Sequence, residues 1–332
     1  MKTIVTGGAG FIGSHLTDLL LTKGHSVLVL DNFSTGRPEN LAHLKSNQNL
    51  SLAQVDVSEF EKIKDYFQGV DWVFHLAALA DIVPSVVEPL KYHKSNVDGT
   101  VAVCQAAKEA GVKKLIYTAS YSGYGLPDVF PTPEIAPIKP EYPYALTKWL
   151  GEQIALHWCQ LYKLPVVSLR LSNVYGPRSR TSGTYGAMFG IFLAQKLASK
   201  PFTIVGDGTQ TRDFTFVSDV VRAFLAAAES NVSGDFFNVG SGGTYSVNRI
   251  VELLSGSDMP QITYIPKRPG EPICTYADIS KIKAAFGWQP AVSIEEGVKI
   301  LLDNIDYWKE APVWTPESIA EATKEWFKNL SK

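Results

Sequence analysis

The chain has 332 residues, of which 45% are hydrophobic and 19% are charged, a balance typical of a folded globular protein and not of a disordered chain. The length predicts one large domain or two of moderate size. The formal net charge is −2, which argues against a nucleic-acid-binding protein that grips phosphates. No apolar run approaches the roughly 20 residues of a membrane-spanning helix.

The cysteines and histidines give no sign of a disulfide framework or a metal centre. The three cysteines are far apart in the chain, and the six histidines form no pattern with metal-ligand spacing. The first residues run into glycines too soon for a secretory signal peptide. We therefore expect a cytoplasmic protein without a membrane segment, a nucleic-acid partner or a metal.

The first half of the chain alternates short β-branched runs with longer helical patterns. This alternation predicts a parallel sheet with helices on both faces, because parallel strands are joined by right-handed crossovers. The predicted strands are residues 3–6, 26–30, 50–55, 72–75, 115–118 and 166–170. The predicted helices are residues 11–22, 86–110 and 142–161.

After about residue 175 the pattern becomes shorter and less regular. A strand is predicted at residues 202–205, and helices are predicted at residues 217–228, 245–254 and 294–308. Near the end, Thr315 can cap a helix that begins at Pro316. Spacings of three and four residues put one apolar face on that helix, made of Ile319, Ala322, Trp326 and Leu330.

A glycine-rich loop, Gly7 to Gly13, follows the first predicted strand and opens the first helix. Gly7 permits a tight turn, Gly10 lets the backbone approach a pyrophosphate, and Gly13 allows the helix to lie close to the sheet. A diphosphate would lie at the helix N-terminus, where free N–H groups favour an anion. Asp31 ends the second strand 18 residues beyond Gly13, where an acid binds ribose hydroxyls and repels a 2′-phosphate. The pattern therefore predicts NAD binding; the alternative is a glycine-rich turn without a ligand.

Tyr144 and Lys148 stand four residues apart in a predicted helix and therefore share one face. Such pairs also occur by chance on exposed surfaces. Here Ser120 lies at the end of a preceding strand in a chain with a dinucleotide loop, which favours a site for hydride transfer at a carbinol. A tyrosine acts as a base at neutral pH only if its phenolate is stabilised, and a nearby lysine and a positive nicotinamide would lower its pKa. Ser120 would hold or relay the hydroxyl proton.

With these motifs the chain resembles the extended short-chain dehydrogenase/reductase family, and within it the NAD-dependent nucleotide-sugar epimerases of the UDP-glucose (UDP-hexose) 4-epimerase type. The resemblance extends from the glycine loop to residues 267–271 and 278–281. It implies an α/β fold with a Rossmann-type doubly wound parallel sheet. The NAD-binding domain would cover residues 1–175, with residues 213–240 returning to it, and a smaller α/β nucleotide-sugar domain would cover residues 176–332.

The resemblance implies a set of NAD-binding residues. Asp31 and Asn32 match the acid at the adenosine ribose and its neighbour, and Asp56 and Val57 match the pair at the adenine. Besides the catalytic pair Tyr144 and Lys148, the predicted NAD-binding residues are Gly7, Gly10, Phe11, Ile12, Gly13, Asp31, Asn32, Asp56, Val57, Leu76, Ala77, Ala78 and Asn96.

The resemblance also implies a UDP-sugar site beside the catalytic Ser120, Tyr144 and Lys148. Asn173, Arg212 and Arg268 match groups that contact the diphosphate, and arginine forks suit phosphate oxygens. Glu271 matches the acid at the uridine ribose. The alternatives are a backbone contact for Asn173 and an ion pair between Arg212 and Asp213. The predicted substrate-binding residues are Ser85, Ser120, Ser122, Tyr144, Asn173, Arg212, Arg268, Glu271 and Thr275. For Ser85, on a predicted loop, the alternative is to cap the following helix.

Several positions depart from the family pattern. The family's dehydratases and decarboxylases carry an acidic residue beside the catalytic serine or threonine, whereas Tyr121 and Ser122 follow Ser120 here. Because elimination needs an acid and a base near C5 and C6, the missing carboxylate favours an epimerase. Thr275 stands where a tyrosine narrows the pocket of glucose-restricted members, so an N-acetyl group is expected to fit. Further departures are Ala80 for a lysine, Ala187 for an asparagine and Gly190 for a proline.

The sequence leaves other hypotheses open. One is an epimerase of UDP-glucuronate or another nucleotide sugar, or a dehydratase or reductase of the same family. Another is an NAD sensor without catalysis, which predicts loss of the tyrosine or the lysine, and both are present. The family usually dimerises through helices that include the Tyr144 helix, so a homodimer is expected. Candidate dimer contacts, whose alternative is burial against their own sheet, are Val101, Cys104, Leu150, Ile154 and Trp158.

Overall fold

The structure is a computed structural model that describes residues 1–179, 188–256 and 260–331. Its strands in these residues are β1 (Lys2–Thr6), β2 (Ser26–Asp31), β3 (Leu50–Gln54), β4 (Trp72–His75), β5 (Lys114–Ser120), β6 (Val166–Leu171), β7 (Asn173–Tyr175), β8 (Phe202–Val205), β9 (Thr211–Arg212), β10 (Phe214–Phe216), β11 (Asp235–Val239), β12 (Tyr245–Ser246) and β13 (Ile262–Ile265). Its α-helices there are α1 (Phe11–Thr22), α2 (Phe60–Ile63), α3 (Ile82–Val87), α4 (Pro89–His93), α5 (Gly99–Glu109), α6 (Pro143–Tyr162), α7 (Met188–Leu197), α8 (Val217–Glu229), α9 (Val247–Ser255), α10 (Ser280–Phe286), α11 (Ile294–Asp303) and α12 (Pro316–Leu330).

The main sheet contains, within those residues, seven parallel strands in the order β11-β6-β5-β4-β1-β2-β3. The strand order reverses at β1, where Thr3 lies opposite Val27 on one side and Trp72 on the other. In such doubly wound sheets the crevice at the carboxyl ends of the strands, beside the reversal, is the usual ligand position. The predicted α/β fold with a Rossmann-type parallel sheet is confirmed.

Helices cover both faces of the sheet, because successive strand residues point to opposite sides. Val5 faces the core formed by α1 and α8, which contains Leu16 and Phe224. Ile4 faces the core formed by α5 and α6, which contains Val103. All five of these residues have no exposed surface.

A third core lies in the later part of the chain, between α7, α9, α11 and the parallel pair β8 and β13. It is built from buried aromatic and aliphatic side chains such as Phe192, Phe202 and Trp308. Two short strand pairs, β7 with β10 and β9 with β12, lie between this unit and the main sheet. None of the described helices is both long and apolar enough to span a membrane.

The single helix predicted over residues 86–110 is wrong. The helical region begins earlier, at Ile82, and Glu88 interrupts it with φ −122° and ψ 54°. The cause is Pro89, because a proline disfavours the helical conformation of the residue before it and occupies the first position of the next helix. A π-helical turn, Lys94–Asp98, then leads into α5.

Two later helix predictions are wrong at one end. Tyr245 and Ser246 form β12, and the Ser246 side chain accepts a hydrogen bond from Arg249 N, so that helix begins only at Val247. The helix predicted over residues 294–308 ends at Asp303 and is followed by a 3-10 turn, Ile305–Trp308. The predicted cap of the last helix is confirmed, since Thr315 and Ser318 form a reciprocal capping box.

Candidate active site

A cavity of about 640 Å³ opens at the carboxyl ends of the main-sheet strands and continues into the later unit. Residues from the glycine loop, Asp31 and Ser120 line its sheet end, and Arg212 and Thr275 line its other end. Of the predicted site residues, all line this cavity except Asn96 and Ser85. The fold therefore brings the predicted dinucleotide, catalytic and sugar-nucleotide residues to one continuous space.

The glycine loop is a tight turn packed against the rest of the sheet edge. Gly7 has φ +70°, and a Cβ atom there would lie 2.7 Å from Ala77 N. A Cβ atom at Gly13 would lie 2.2 Å from Gly7 O, so α1 must begin directly against the loop. Gly10 precedes α1 without any side-chain cap, which leaves the helix N-terminus facing the cavity for an anion. The loop therefore fits a dinucleotide diphosphate.

Asp31 lies at the end of β2 with 6% of its surface exposed. Its carboxylate accepts hydrogen bonds from Ala9 N at 3.0 Å and Phe33 N at 2.8 Å, and burial raises the pKa of the group despite them. Each oxygen keeps a second acceptor position, so the carboxylate can also accept from ribose hydroxyls. A negative group at this position disfavours a 2′-phosphate, which agrees with NAD over NADP.

Asn32 and Asp56 form the next part of the sheet edge. Asn32 Nδ2 donates to Asp56 Oδ2 at 3.2 Å, and Ser58 donates to Asp56 Oδ1 from its backbone N and its hydroxyl. Burial acts to raise the pKa of Asp56, but the hydrogen bonds from Ser58 and Asn32 hold it below its ordinary value. Asp56 is therefore a fixed carboxylate acceptor, and Val57 beside it lines the cavity.

The segment Leu76, Ala77 and Ala78 lines the cavity where β4 ends. Thr6 Oγ1 accepts hydrogen bonds from Leu76 N and Ala77 N, each at 3.1 Å. Asn96 lies behind this segment and not on the cavity. Its side chain bonds Leu79 N and Leu79 O at 2.8 and 2.9 Å and Thr147 Oγ1 at 3.0 Å. Asn96 thus ties the cavity segment to α6, and the structure gives it no direct contact with the space for a cofactor.

Ser85 does not lie on a loop. It is fully buried within α3, and its hydroxyl donates to Ile82 O at 2.6 Å. This bond within the helix explains both the burial and the distance from the cavity, and it also differs from a cap of the helix that follows. The loop prediction is wrong because the helical region begins at Ile82.

Ser120, Tyr144 and Lys148 all line this cavity. Ser120 ends β5, and Tyr144 and Lys148 lie in the first two turns of α6, which begins at Pro143. The Ser120 hydroxyl lies 2.8 Å from the Ser122 hydroxyl and accepts a hydrogen bond from Ser122 N at 3.2 Å. Burial raises the pKa of Tyr144, while the polar Ser120 side chain acts to lower it. The Ser120 and Ser122 hydroxyl groups therefore lie close together at this part of the cavity. A phenolate at Tyr144 would need positive charge from a further group to be stabilised.

Lys148 supplies a charge that is sensitive to its surroundings. Burial lowers the pKa of Lys148 to about 7, with the Glu152 charge opposing that shift. Lys148 Nζ lies 4.7 Å from the centre of the Tyr117 ring. Glu152, one turn further along α6, is bound by Arg170 Nη2 at 2.6 Å and by the Ser168 hydroxyl at 2.9 Å. The charge of Lys148 therefore depends on the buried Glu152 carboxylate.

We expect Lys148→Met to change how the stability of the nucleotide-free protein depends on pH. Between about pH 7 and the ordinary lysine pKa of 10.5, the unfolded chain binds more protons at this position than the folded chain. The contribution of Lys148 to stability therefore rises with pH through that window and is lowest below it, where a charge stays buried. The melting temperature of Lys148→Met should exceed that of the wild type by the largest amount below pH 7. Lys324→Met, at an exposed lysine, is the control, and a gain that does not shrink as pH rises would contradict the lowered pKa.

The far end of the cavity carries a cluster of arginines around one carboxylate. Arg212 Nη2 lies 2.9 Å from Glu271 Oε1, and Arg268 Nε lies 3.7 Å from Glu271 Oε2. The predicted alternative, an ion pair of Arg212 with Asp213, is absent among the contacts of the described residues. Asp213 is fully buried and accepts instead from Ser241 N at 2.6 Å and other backbone and hydroxyl groups. The guanidinium groups therefore face the cavity with one acid between them.

Thr275 joins this cluster to Asn173. Its hydroxyl donates to Asn173 Oδ1 at 2.9 Å and accepts from Asp213 N at 3.1 Å. Asn173 itself is exposed into the cavity at the start of β7. Ala80 and Gly190 also line the cavity, whereas Ala187 lies outside the described residues. The cavity lining also includes Tyr142 and Trp326, which were not predicted as site residues. For Tyr142, its position two residues before Tyr144 was a signal in the sequence.

The comparisons with known proteins agree with this geometry. The sequence pattern of the NAD dependent epimerase/dehydratase family matches residues 3–240. A UDP-glucose 4-epimerase of Mycolicibacterium smegmatis is 38% identical over 306 residues, 90% of this chain and 96% of that protein. The solved UDP-glucose 4-epimerase of Thermotoga maritima, with UDP-glucose, is 36% identical, with a TM-score of 0.85 over 93% of this chain and 99% of that one. UDP-glucuronic acid decarboxylase 1 of Arabidopsis thaliana is 35% identical over 92% of this chain and 69% of that protein.

The fold and the cavity define an NAD-dependent enzyme of the short-chain dehydrogenase/reductase type. More particularly, the chain belongs to the NAD dependent epimerase/dehydratase family. Since epimerases and decarboxylases are both similar to it over most of its length, overall identity does not choose between these reactions. The residues beside Ser120 are the ones that distinguish an epimerase from a decarboxylase.

Proposed function

We propose that this protein is an NAD-dependent 4-epimerase of a UDP-sugar. The observation that carries the proposal is that Tyr144, Ser120 and Lys148 line the same cavity as the glycine loop and the Arg212 and Arg268 cluster. A UDP-sugar with its diphosphate at the arginines would present its hexose to the tyrosine. A dinucleotide on the glycine loop would present its nicotinamide to the same point.

Each residue then has a defined task. The glycine loop, Asp31 and Asp56 would hold the dinucleotide, which when bound would supply hydride chemistry at C4: removal of the C4 hydrogen with its electron pair and its return to the opposite face of the ketone. Tyr144 takes the proton of the C4 hydroxyl, and the Ser120 hydroxyl would hold that group by a hydrogen bond. The charged form of Lys148 stabilises the phenolate. On return, Tyr144 gives the proton back, so the reaction is redox-neutral.

The sugar must turn between the two halves of the reaction while its diphosphate stays bound. Two guanidinium groups suit that task, because they bind phosphate oxygens through charge-assisted hydrogen bonds. Asn173 adds an amide within the same end of the cavity. Glu271, which lies between Arg212 and Arg268, would accept from the uridine ribose while keeping both guanidinium groups in place.

Elimination or decarboxylation is less well supported than epimerisation. The carboxylates that line the described part of the cavity are Asp31, Asp56, Asp81 and Glu271, and none lies on the Ser120 segment. Tyr121, the neighbour of Ser120, has its hydroxyl 2.7 Å from Thr132 Oγ1. An acid and a base near C5 and C6 are therefore missing from the position that those reactions need.

Incubation of the purified protein with UDP-glucose, UDP-N-acetylglucosamine and UDP-glucuronate, separately and without added cofactor, tests the proposal. Chromatography with mass detection should show a new isomer of unchanged mass from at least one of them. An isomer from UDP-glucuronate alone would keep the reaction and change the sugar. A product lighter by water or carbon dioxide would replace the epimerase assignment by a dehydratase or a decarboxylase.

Thr275 is proposed to admit an N-acetyl group beside C2. We expect Thr275→Tyr to abolish turnover of UDP-N-acetylhexosamines while UDP-glucose turnover survives, because the larger ring fills that volume. Thr275→Ser keeps the hydroxyl that donates to Asn173 and is the matched control for lost hydrogen bonding. Relative kcat/KM for the two sugars measures the effect, and an unchanged ratio in Thr275→Tyr would contradict it.

We also propose that the protein acts in the cytoplasm as a homodimer that pairs through α5 and α6. These helices pack on each other, and Val101 is exposed on their outer side while Leu150 and Ile154 are half-buried. Cys104 is fully buried in the chain's own core, and Trp158 packs partly against that core, so neither supports an interface. Sedimentation of the purified protein as a monomer would contradict the dimer.

A further inference from the structure

Trp326 of the C-terminal helix lines the same cavity as the catalytic tyrosine, although 182 positions separate them in the chain. Only 2% of its surface is exposed. Its indole N–H donates to Pro269 O at 2.7 Å, and its ring centre lies 5.9 Å from that of Tyr142. The indole is therefore held in one place by a hydrogen bond and by ring packing.

Tyr142 connects Trp326 to both ends of the substrate site. The rings of Tyr142 and Tyr144 are nearly parallel, at 7°, with centres 6.4 Å apart. Burial raises the pKa of Tyr142, the Glu271 charge also raises it, and Arg212 and Ser122 act to lower it, so these groups surround the Tyr142 hydroxyl. Tyr142 thus lies between the reacting hydroxyl groups and the arginine cluster. A hexose whose diphosphate binds the arginines and whose C4 meets Tyr144 must cross this interval.

The helix that carries Trp326 is firmly placed. Its first turn is fixed by the Thr315 and Ser318 capping box, and Ile319 is buried in the third core, between α7, α9 and α11. It packs against α3, whose residues Ile82 and Val83 line the cavity. The Arg268 guanidinium carbon lies 5.9 Å from the Trp326 ring centre, so the indole also borders the anchoring cluster. The helix therefore holds the indole rigidly at the border of the cavity, where 2% of the surface of Trp326 is open.

We propose that Trp326 and Tyr142 form an aromatic wall of the hexose subsite, and that Trp326 contacts the sugar ring of the bound UDP-sugar. This inference rests on the proposed function and adds a sugar-binding residue to it. The C–H face of a pyranose gains by packing on a flat aromatic surface that excludes water. The wall also limits the positions that the sugar can take while its diphosphate stays anchored, which keeps C4 near Tyr144.

The test compares the affinities for UDP and for UDP-glucose by titration calorimetry, without turnover. In Trp326→Ala we expect the Kd of UDP-glucose to rise about tenfold and that of UDP to change by less than about twofold, because only the sugar meets the wall. Trp326→Phe keeps an aromatic ring and should retain most of the sugar affinity. Phe327→Ala, on the same helix but not on the cavity, is the matched control. The KM for UDP-glucose should rise more than kcat falls.

An equal loss for UDP and UDP-glucose would overturn the proposal, since it would assign Trp326 to the support of Pro269 and Arg268 alone. Unchanged affinity for both ligands would also overturn it, because the sugar would then not touch the indole. If Trp326→Ala fails to fold, the Kd values of UDP-glucose and UDP are compared in Trp326→Phe instead. There we expect the Kd of UDP-glucose to rise more than that of UDP, by a smaller but measurable factor. Failure of the proposed function is distinct, since it would show as no isomer from any UDP-sugar with the wild-type protein.

Discussion

Tyr144→Phe is expected to lower kcat about 10³-fold, within the range of roughly 10² to 10⁴ that a general acid–base group contributes. The change removes one oxygen from a packed ring, so the fold and the cavity should stay intact. The KM for the UDP-sugar should change little, because the arginine cluster and the hexose wall remain. Steady-state kinetics on the UDP-sugar that the wild type converts gives both constants.

Tyr162→Phe is the matched control for this variant. Tyr162 ends the same helix and is 44% exposed, far from the cavity lining. Its replacement should leave kcat unchanged. A Tyr144→Phe variant that keeps near wild-type kcat with intact binding would contradict the assignment of Tyr144 as the group that moves the C4 hydroxyl proton.

Glu152→Gln is expected to destabilise the protein by about 3–5 kcal/mol, because it leaves the Arg170 charge buried without its partner. Arg170 and Glu152 have only 5% and 1% of their side chains exposed. A melting temperature lower by on the order of 10 °C would follow. The variant also loses the charge that raises the pKa of Lys148, so that pKa falls further below its ordinary range and less of the lysine is charged at neutral pH. Thermal unfolding and kcat at neutral pH should both decline.

Two comparisons separate a charge effect from a packing effect. Replacing both partners, Glu152→Leu with Arg170→Met, removes the unpaired charge and should recover much of the melting temperature. Glu61→Gln breaks an exposed ion pair with Lys64, which is screened by solvent and should leave the melting temperature unchanged. Equal destabilisation by the single and double variants at the buried pair would contradict the role of the buried charge.

The parts of the fold that follow from local patterns were predictable. The strands of the first half, the glycine loop and the helix of Tyr144 each have their signal within one stretch of chain. Elements that depend on distant partners were missed. β11 is a strand because Asp235–Val239 pairs with β6. In α7, the consecutive residues from Phe189 to Gln195 are all buried, so its sequence shows no helical period.

The candidate site divides in the same way. The spacing of Tyr144 and Lys148 is visible in the sequence, but the contact between Arg212 and Glu271 joins positions 59 residues apart, which no local pattern reveals. Trp326 was predicted as part of an apolar helix face, and a helical period cannot tell a core side chain from one that faces a cavity. Ser85 was misplaced because the segment that forms α3 was predicted as a loop.

In the proposed reaction, C4 of the sugar is oxidised and reduced within one binding event. The most direct measurement follows the UDP-sugar that the protein converts, carrying deuterium at C4 and incubated with the purified protein without added cofactor, with the product identified by NMR and mass. We expect a C4 epimer of unchanged mass that retains deuterium at C4, because the hydrogen leaves and returns without exchange with water. An epimer that has lost the deuterium to solvent, or label retained with no change at C4, would contradict it.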